Sequence, residues 1–590
     1  MKKVVINNRD YSSWSLLDVN TNIHMSSSEC QEKGINIIQN KWFHQDIIDE
    51  TNNTIIHSNI RSLHYISGVL ILEGNKTYGR TANRKKLLYK CVPNDKHIPE
   101  FLIPFEISIG FKKVYKNKYV IFKFLEWNEL QQHPIGILVE TIGNVDILEC
   151  FYEYQLYSKF LHESIKNITN ITKEITNKTS MEDFIKQIQH NPKYKIQNRL
   201  GNNFNIFTID PLNSVDFDDG FSIKEKDDKL IVTVYIANVY VWLETFNLWE
   251  SFSNRVSTIY LPDKRRPMLP TILSDSLCSL QQGQSRFAFA IDFTLSYNSN
   301  NITMFIDDTK TTMQNVIISP YKNYVYEDPK MLFQDIHYNK LFQVSSLIQN
   351  NDIKNSHDIV NFWMIQTNKY IAEYMLKQQF GIFRVGKMVS FQGDEHFYNI
   401  KEDTKRLIQS WNNVVGQYVL YNNQEDTTQF EHCILKTKSY IHCTSPIRRV
   451  VDLLNQMMLI GHLYPTSLSK NAIEFIDKWC CRMDYINSTS RAVRKVQTDC
   501  YALQMCVNKP EIMNQIHNGI VFDKTENTGV FSYMIYLENI KLLTRIKSTV
   551  SVENISNHKF KIFLFENEDN TKKKIRVGFA YKDDDNTIFS

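Results

Sequence analysis

Four aspartates, Asp210, Asp216, Asp218 and Asp219, fall within ten residues of one another. Carboxylates crowded into so short a segment repel, and the arrangement is unfavourable unless a cation neutralises them or their pKa values rise. Hard oxygen donors of this kind select Mg²⁺, Mn²⁺ or Ca²⁺. Three readings compete: a solvated acidic turn, a calcium loop, and a divalent-metal centre for phosphoryl chemistry, where metals hold the attacking and leaving oxygens. The calcium loop fails on its own pattern. Counted from Ser214, Asp216 and Asp218 fit an EF-hand, but Asp219 stands where the turn needs Gly, and the flanks read as strands. A solvated turn sits poorly between two apolar strands, and the metal centre is the reading favoured.

The elements that must position these groups are legible on both sides. Asn205-Ile206-Phe207-Thr208-Ile209 precedes them, and Phe221-Ser222-Ile223 and Leu230–Ile236 follow, apolar and partly β-branched. Pro211 and Gly220 mark the intervening loop. A second candidate for anion chemistry is Ser445-Pro446-Ile447-Arg448-Arg449. Ser445 suits an N-cap and Pro446 the first helical position. Val450, Val451, Leu453, Leu454, Met457 and Met458 then continue a buried helix. This puts Arg448 and Arg449 in its first turn, where free N–H groups already favour an anion. Cations there need a phosphate or a carboxylate to answer them, and an arginine paired to a core aspartate remains the alternative.

A chain of 590 residues exceeds one core, so two to four domains are expected. With 42% hydrophobic and 22% charged residues it has an ordinary globular composition. A net charge of +4 neither demands nor excludes nucleic acid, which needs local patches. No run of eighteen apolar residues suggests a membrane span, and the first residues lack the apolar run of a signal peptide. The ten cysteines form no C-x-x-C pair, and the adjacent Cys480 and Cys481 suit neither a disulfide nor a zinc site. They are read as reduced thiols of an intracellular protein, cytoplasmic or nuclear.

Along the chain, residues 1–61 read as a polar, irregular extension or a reduced small domain. Residues 62–148 alternate as short strands of a small barrel. Lys118–Phe124, for instance, puts Val120, Phe122 and Phe124 on one face and Tyr119, Ile121 and Lys123 on the other. Within this region residues 76–90 interleave cations with aromatics, and Lys85, Lys86 and Lys90 suit single-stranded nucleic acid through charge and stacking. The alternative is a charged strand edge that discourages aggregation. Residues 149–198 read as a helical connector, 199–512 as the main domain with a helix at 358–376, and 513–590 as a second β domain with a basic strand at 572–576.

The segment T-I-D-P-x-x-x-x-D-x-D-D-x-x-S resembles the signature of the ribonuclease II / ribonuclease R family, whose eukaryotic branch includes the exosome's catalytic exoribonuclease. Ser257-Thr258-Ile259-Tyr260-Leu261-Pro262, Pro267-Met268-Leu269-Pro270, Cys278-Ser279-Leu280, Arg286 and Thr444-Ser445-Pro446-Ile447-Arg448-Arg449 are similar to further family motifs. Asn94–Pro99, Trp127 and His133–Gly143 are similar to the second cold-shock-like domain of the eukaryotic branch. The resemblance implies an α+β multidomain chain, with an RNB-type catalytic domain flanked by OB/cold-shock-like and S1-like barrels. It implies a processive 3′→5′ exoribonuclease, hydrolysing single-stranded RNA to nucleoside 5′-monophosphates through Mg²⁺, with Mn²⁺ as substitute.

In that reading Asp210, Asp216, Asp218 and Asp219 form the metal cluster of a two-metal site. Asp218, Arg448 and Tyr260 carry catalysis: Arg448 meets the scissile phosphate and Tyr260 stacks on the last nucleotide. Tyr260, Arg448, Arg449, Lys85, Lys86 and Lys90 bind RNA, and the protein is expected to be a monomer without membrane partners. The chain also departs from the family. Asn238 replaces an aspartate in Tyr235-Ile236-Ala237-Asn238-Val239, Val360-Asn361-Phe362-Trp363-Met364 lacks the family glutamates, and Val450 and Gln456 replace a tyrosine and a histidine. A catalytically silent RNA-binding protein on the same scaffold is therefore the alternative function.

Overall fold

Every position from Val232 to Ala237 is buried, so the strand that follows the aspartate loop is covered on both faces. It belongs to an eight-stranded sheet ordered Gln197–Arg199, Thr312–Ile318, Arg286–Asn298, Lys229–Ala237, Asp219–Lys226, Phe207–Asp210 and Lys322–Val325, with Thr303–Ile306 paired to Arg286–Asn298. The outermost pairings are parallel and the others antiparallel. The aspartate loop therefore links two neighbouring antiparallel strands, Phe207–Asp210 and Asp219–Lys226.

The computed structural model describes residues 1–580 other than 33, 50–51, 82–84, 107–114, 130, 202, 227–228, 299–302, 350–351, 387–404, 406–415, 423–429 and 433–434. Arg84 of the basic segment, Cys433 beside His432, and the end of the last expected domain, 581–590, lie outside the described residues. The chain divides into two units: Met1–His162 with Leu261–Asp263 and Arg494–Ser590, and Glu163–Tyr260 with Lys264–Val493. Among the described residues no helix is long and apolar enough to cross a membrane, and the nine described cysteines are thiols rather than disulfides.

In the second unit the sheet packs against long helices. Ser356–Lys377 covers the helix expected at 358–376, with the Asn355 side chain accepting from the Asp358 N–H at its start. Val450–Leu463 is buried nearly all round, as a helix must be when other elements enclose it. Its start differs from the sequence-based expectation. Arg449 is extended, at φ −138° and ψ 127°, and is itself the N-cap. Ser445 opens a separate turn, in which Arg449 N–H donates to Ser445 O at 3.1 Å. Arg448 and Arg449 thus precede the helix. The cause is tertiary: Arg449 bridges Ser257, and Val450 N–H donates to Val256 O at 2.9 Å, which holds the chain extended against local capping preference.

In the first unit the strands Ile66–Leu70, Leu87–Pro93, Phe101–Phe105, Lys118–Glu126 and Ile135–Asn144 form a closed barrel. Val120 and Phe122 fill its interior, while Tyr119 on the other face stacks on Tyr154 of the helix Leu148–Ser158, with centroids 4.4 Å apart. For residues 1–61 the sequence leaves an irregular extension or a reduced small domain open, and the described residues fit the second. They form a five-stranded sheet of Lys2–Ile6, Trp14–Asp18, His24–Ser26, Ile47–Asp49 and Thr54–His57. Val4, Ile6, Leu16 and Ile48 of this sheet, with Trp42 and Phe43 of the segment before Ile47–Asp49, share one core with Tyr89, Phe101 and Phe122 of the barrel.

The C-terminal strands, from His517–Asn527 to Lys573–Phe579, make a five-stranded antiparallel sheet. Ala502 and Cys506 of the helix Met483–Asn508 pack into its core, and the division between units falls inside that helix. The expected connector also divides. Leu148–Ser158 lies on the barrel, and Ile168, Phe184 and Ile188 join the core of the second unit.

Candidate active site

Asp210 ends one strand and Asp219 begins the next, and the loop between them is pinned from a distance. Phe217 N–H donates to Ser279 Oγ at 3.0 Å, and Ser279 Oγ–H donates to Val215 O at 2.7 Å. Leu280 N–H adds a bond to Phe217 O at 3.0 Å. Arg286, buried, donates through Nε to Ser279 O at 2.8 Å and through Nη2 to the Gln281 side chain at 3.1 Å. The Cys278-Ser279-Leu280 motif and Arg286 are therefore the brace of the acid loop.

The arginine segment is clamped with equal care. Thr258 N–H donates to Arg448 O at 2.9 Å, and Thr258 Oγ1 accepts from Met268 N–H at 3.0 Å. Buried Asp452 accepts from Ser445 N–H at 2.8 Å and from Arg449 Nη2 at 2.8 Å, while Arg449 Nε lies 2.8 Å from its other oxygen. Arg449 is thus engaged with a core aspartate, the alternative left open by the sequence. Arg448 differs: its side chain is 46% exposed, and its Nε lies 3.1 Å from Asp218 Oδ2. Ile447 N–H donates to Asp218 Oδ1 at 2.9 Å, and Arg448 Nη2 to Ser445 Oγ at 3.0 Å.

Burial decides the electrostatics of the carboxylates. It pushes Asp218 up to about 8 against the opposing charge of Arg448, and Asp219 up to about 6. Asp210 is raised well above the carboxylate range by burial and then by the charge of Asp219, and its Oδ2 is buried without a hydrogen-bond partner. Asp216 is held otherwise: Arg265 Nη1 lies 2.9 Å from Oδ1, and the Tyr260 hydroxyl donates to Oδ2 at 3.4 Å. Burial and the charge of Asp216 push the Tyr260 phenol up to about 12.

Among the described residues, no three His, Cys, Asp or Glu side chains stand together so as to hold a metal ion. A pair is nevertheless suited to one. Mg²⁺ keeps several waters and binds through one or two carboxylates together with substrate phosphates. Asp210 and Asp219, mutually repelling and with an orphaned oxygen, fit that donor set.

The sequence did not place two groups at the acid cluster. Arg265 is one. Tyr326 is the other: its N–H donates to Asp210 O at 3.1 Å, and its ring stacks on His357 with centroids 3.6 Å apart and planes 8° apart. Burial and the charges of Asp219 and Asp210 push its phenol up to about 12. The departures have structural partners. Asn238 donates to Asn315 Oδ1 at 2.9 Å, and Gln456 donates to Ala237 O at 2.9 Å, the residue whose own N–H reaches Asp218 O at 2.7 Å. Asn361 is exposed on its helix.

The first unit carries the basic residues. Lys85 and Lys86 are exposed, while Lys90 is paired to Glu100 at 2.8 Å. In the C-terminal sheet Lys573 pairs with Glu566 at 3.1 Å, and the Arg576 guanidinium lies 3.8 Å from the Phe565 ring centroid.

The chain is similar to known proteins in sequence and in fold. The model described as RNB domain matches residues 197–343 and 330–465, and that described as Dis3-like cold-shock domain 2 matches residues 88–152. Ribonuclease R of Mycoplasmopsis pulmonis is 23% identical over 442 residues, covering 63% of this chain and 60% of the relative. DIS3-like exonuclease 2 of Schizosaccharomyces pombe is 31% identical over 178 residues, covering 30% of this chain and 18% of the relative. The chain thus spans less than two thirds of these relatives. Among solved structures, Mycoplasma genitalium RNase R in complex with ribose methylated single-stranded RNA matches at TM-score 0.65 and 15% identity, covering 98% of this chain and all of that one. Yeast Ssd1, a pseudonuclease, matches at TM-score 0.56 and 14% identity over 92% of this chain and 78% of that one. At these identities the likeness is one of fold.

Proposed function

Because the chain belongs to the RNB-domain family of ribonuclease II and ribonuclease R, we propose that it is a metal-dependent 3′→5′ exoribonuclease. Its substrate in this reading is single-stranded RNA, and its products are nucleoside 5′-monophosphates. The observation that carries the reading is the gathering of Asp210, Asp218 and Asp219 in a buried cluster faced by the half-exposed Arg448.

Buried carboxylates with raised pKa values keep their charge only when a cation answers them. Asp210 and Asp219 would hold Mg²⁺, or Mn²⁺, in this proposal, and Asp218 would complete the cluster from the Arg448 side. When bound, the ion supplies Lewis-acid stabilisation of phosphate oxygens and an activated water. The rest falls to the chain. Arg448, fixed through its backbone carbonyl by Thr258 and through Nη2 by Ser445, turns its exposed fork to the scissile phosphate and stabilises the charge that builds there. Tyr260, anchored through its hydroxyl on Asp216, presents its ring to the last base. Arg449 holds Asp452 and thereby shapes the turn that carries Arg448, a supporting part in RNA binding.

The test is incubation of 5′-labelled single-stranded RNA with the protein and Mg²⁺. A ladder shortening from the 3′ end, absent in Asp218→Asn, supports hydrolysis. A second reading, RNA binding without cleavage, is favoured by the arginine side chains that already answer Asp216 and Asp218. It predicts retention of intact RNA in the same experiment.

A further inference from the structure

Arg265 and Tyr260 face each other across the two-residue ladder Ile259–Tyr260 and Arg265–Arg266. Both reach the same carboxylate, Tyr260 through one oxygen of Asp216 and Arg265 through the other. On its far side the Arg265 guanidinium donates through Nη2 to Asp275. The contact with Asp216 is one of charge rather than an aligned hydrogen bond, since Nη1 is close but has no hydrogen-bond partner. The pair is largely withdrawn from solvent, with Asp216 11% and Arg265 23% exposed. A salt bridge so placed is weakly screened, and opening it leaves a desolvated charge unanswered.

The four aspartates are therefore not equivalent. Asp210 and Asp219 repel each other and leave an oxygen without a partner, whereas both oxygens of Asp216 are already engaged. Tyr260 reinforces the difference, because its hydroxyl occupies the oxygen that Arg265 leaves.

Building on the metal-dependent reading above, we infer that Arg265 serves as a fixed cation in the acid cluster. It keeps Asp216 out of the coordination shell, so the site takes one divalent ion, on Asp210 and Asp219, instead of two. Asp216 is then an anchor for Tyr260 and Arg265 rather than a ligand. Asp275 is what allows this: it holds the guanidinium from behind and fixes its position.

Direct Mn²⁺ titration of the whole chain, followed by calorimetry and by the spin-resonance signal of free Mn²⁺, tests the assignment without activity. The wild type should bind one Mn²⁺ and Arg265→Gln two. Asp216→Asn in the otherwise native chain should leave the affinity for the single ion within about threefold. Loss of a ligand should cost at least the roughly 10–100-fold that removing a ligand's own hydrogen-bonding partner costs, whereas Asp216 pairs with Tyr260 and Arg265 and with neither Asp210 nor Asp219. Two ions in the wild type, a single ion in Arg265→Gln, or a tenfold loss in Asp216→Asn would each overturn the inference while leaving a metal site in place. No bound ion in the wild type would remove the metal-dependent reading and the inference with it. The Asp216→Asn measurement decides the matter even where Arg265→Gln does not fold.

Discussion

Arg448 Nε lies 3.1 Å from Asp218 Oδ2, but that oxygen receives no aligned hydrogen bond, while the opposite oxygen is fixed by the Ile447 amide. One side of the carboxylate is thus bound to the backbone and the other only balanced by charge. Asp218→Asn keeps the shape of the group but removes its charge. It should abolish RNA hydrolysis and leave RNA affinity close to wild type, as read by a cleavage ladder beside a filter-binding isotherm. Cleavage at a comparable rate in the variant would remove Asp218 from the reaction.

Arg448→Ala should lower turnover by about 10²–10³-fold, the scale of losing one pre-aligned transition-state donor. Arg448→Lys should recover little, because an ammonium lacks the planar fork. Single-turnover cleavage at saturating RNA measures this. If stability falls while the rate per folded molecule is unchanged, Arg448 only balances Asp218.

The raised carboxylates predict a pH effect on the metal-free protein. Folded Asp219 and Asp218 hold protons up to about 6 and about 8, whereas the unfolded chain releases them near the ordinary carboxylate value of about 4. Their folded-state pKa values are raised, so the stability they contribute is present at low pH and is lost as pH rises across this window. The thermal midpoint should fall between pH 5 and pH 8, Asp218→Asn should flatten the fall, and Mn²⁺ should raise the midpoint more at pH 8 than at pH 5. Equal slopes in wild type and variant would contradict the assignment.

Ser279→Ala removes a group that accepts from Phe217 and donates to Val215. The buried amide left without a partner should cost about 1–3 kcal/mol in denaturant unfolding. Mn²⁺ affinity should fall as well, because the loop loses its brace. Unchanged unfolding would show that Leu280 alone holds the loop.

Lys85 and Lys86 are exposed and Lys90 is committed to Glu100. The double change Lys85→Ala with Lys86→Ala should therefore flatten the salt dependence of RNA binding, by up to about 0.7 in log–log slope for each phosphate no longer neutralised. Lys90→Ala should leave that slope alone. Affinities at three salt concentrations distinguish the two outcomes.

The acid cluster and Arg448 stood out by residue type and spacing, whereas Tyr260 entered only through the family resemblance. What those motifs hold was not legible. Arg265 reaches Asp216 and Tyr326 lies beside Asp210 only through the ladder and strand pairing that fold them together. The helix after Arg449 was placed too early because Ser445 and Pro446 satisfy local capping rules, whereas contacts to Val256 and Ser257 decide the outcome. The N-terminal sheet was hidden for another reason. Its strands are three to five residues long, and the asparagines and serines between them dilute any alternation.

That N-terminal sheet does not end where the barrel begins. Phe43 stacks on Phe101 with centroids 6.1 Å apart, and the Arg61 guanidinium lies over both Phe43 and Phe124 while bonding to buried Asp46. The two sheets are in this sense one hydrophobic body. Removing the first sixty residues would leave the Phe101 and Phe124 faces of the barrel without the cover of Phe43.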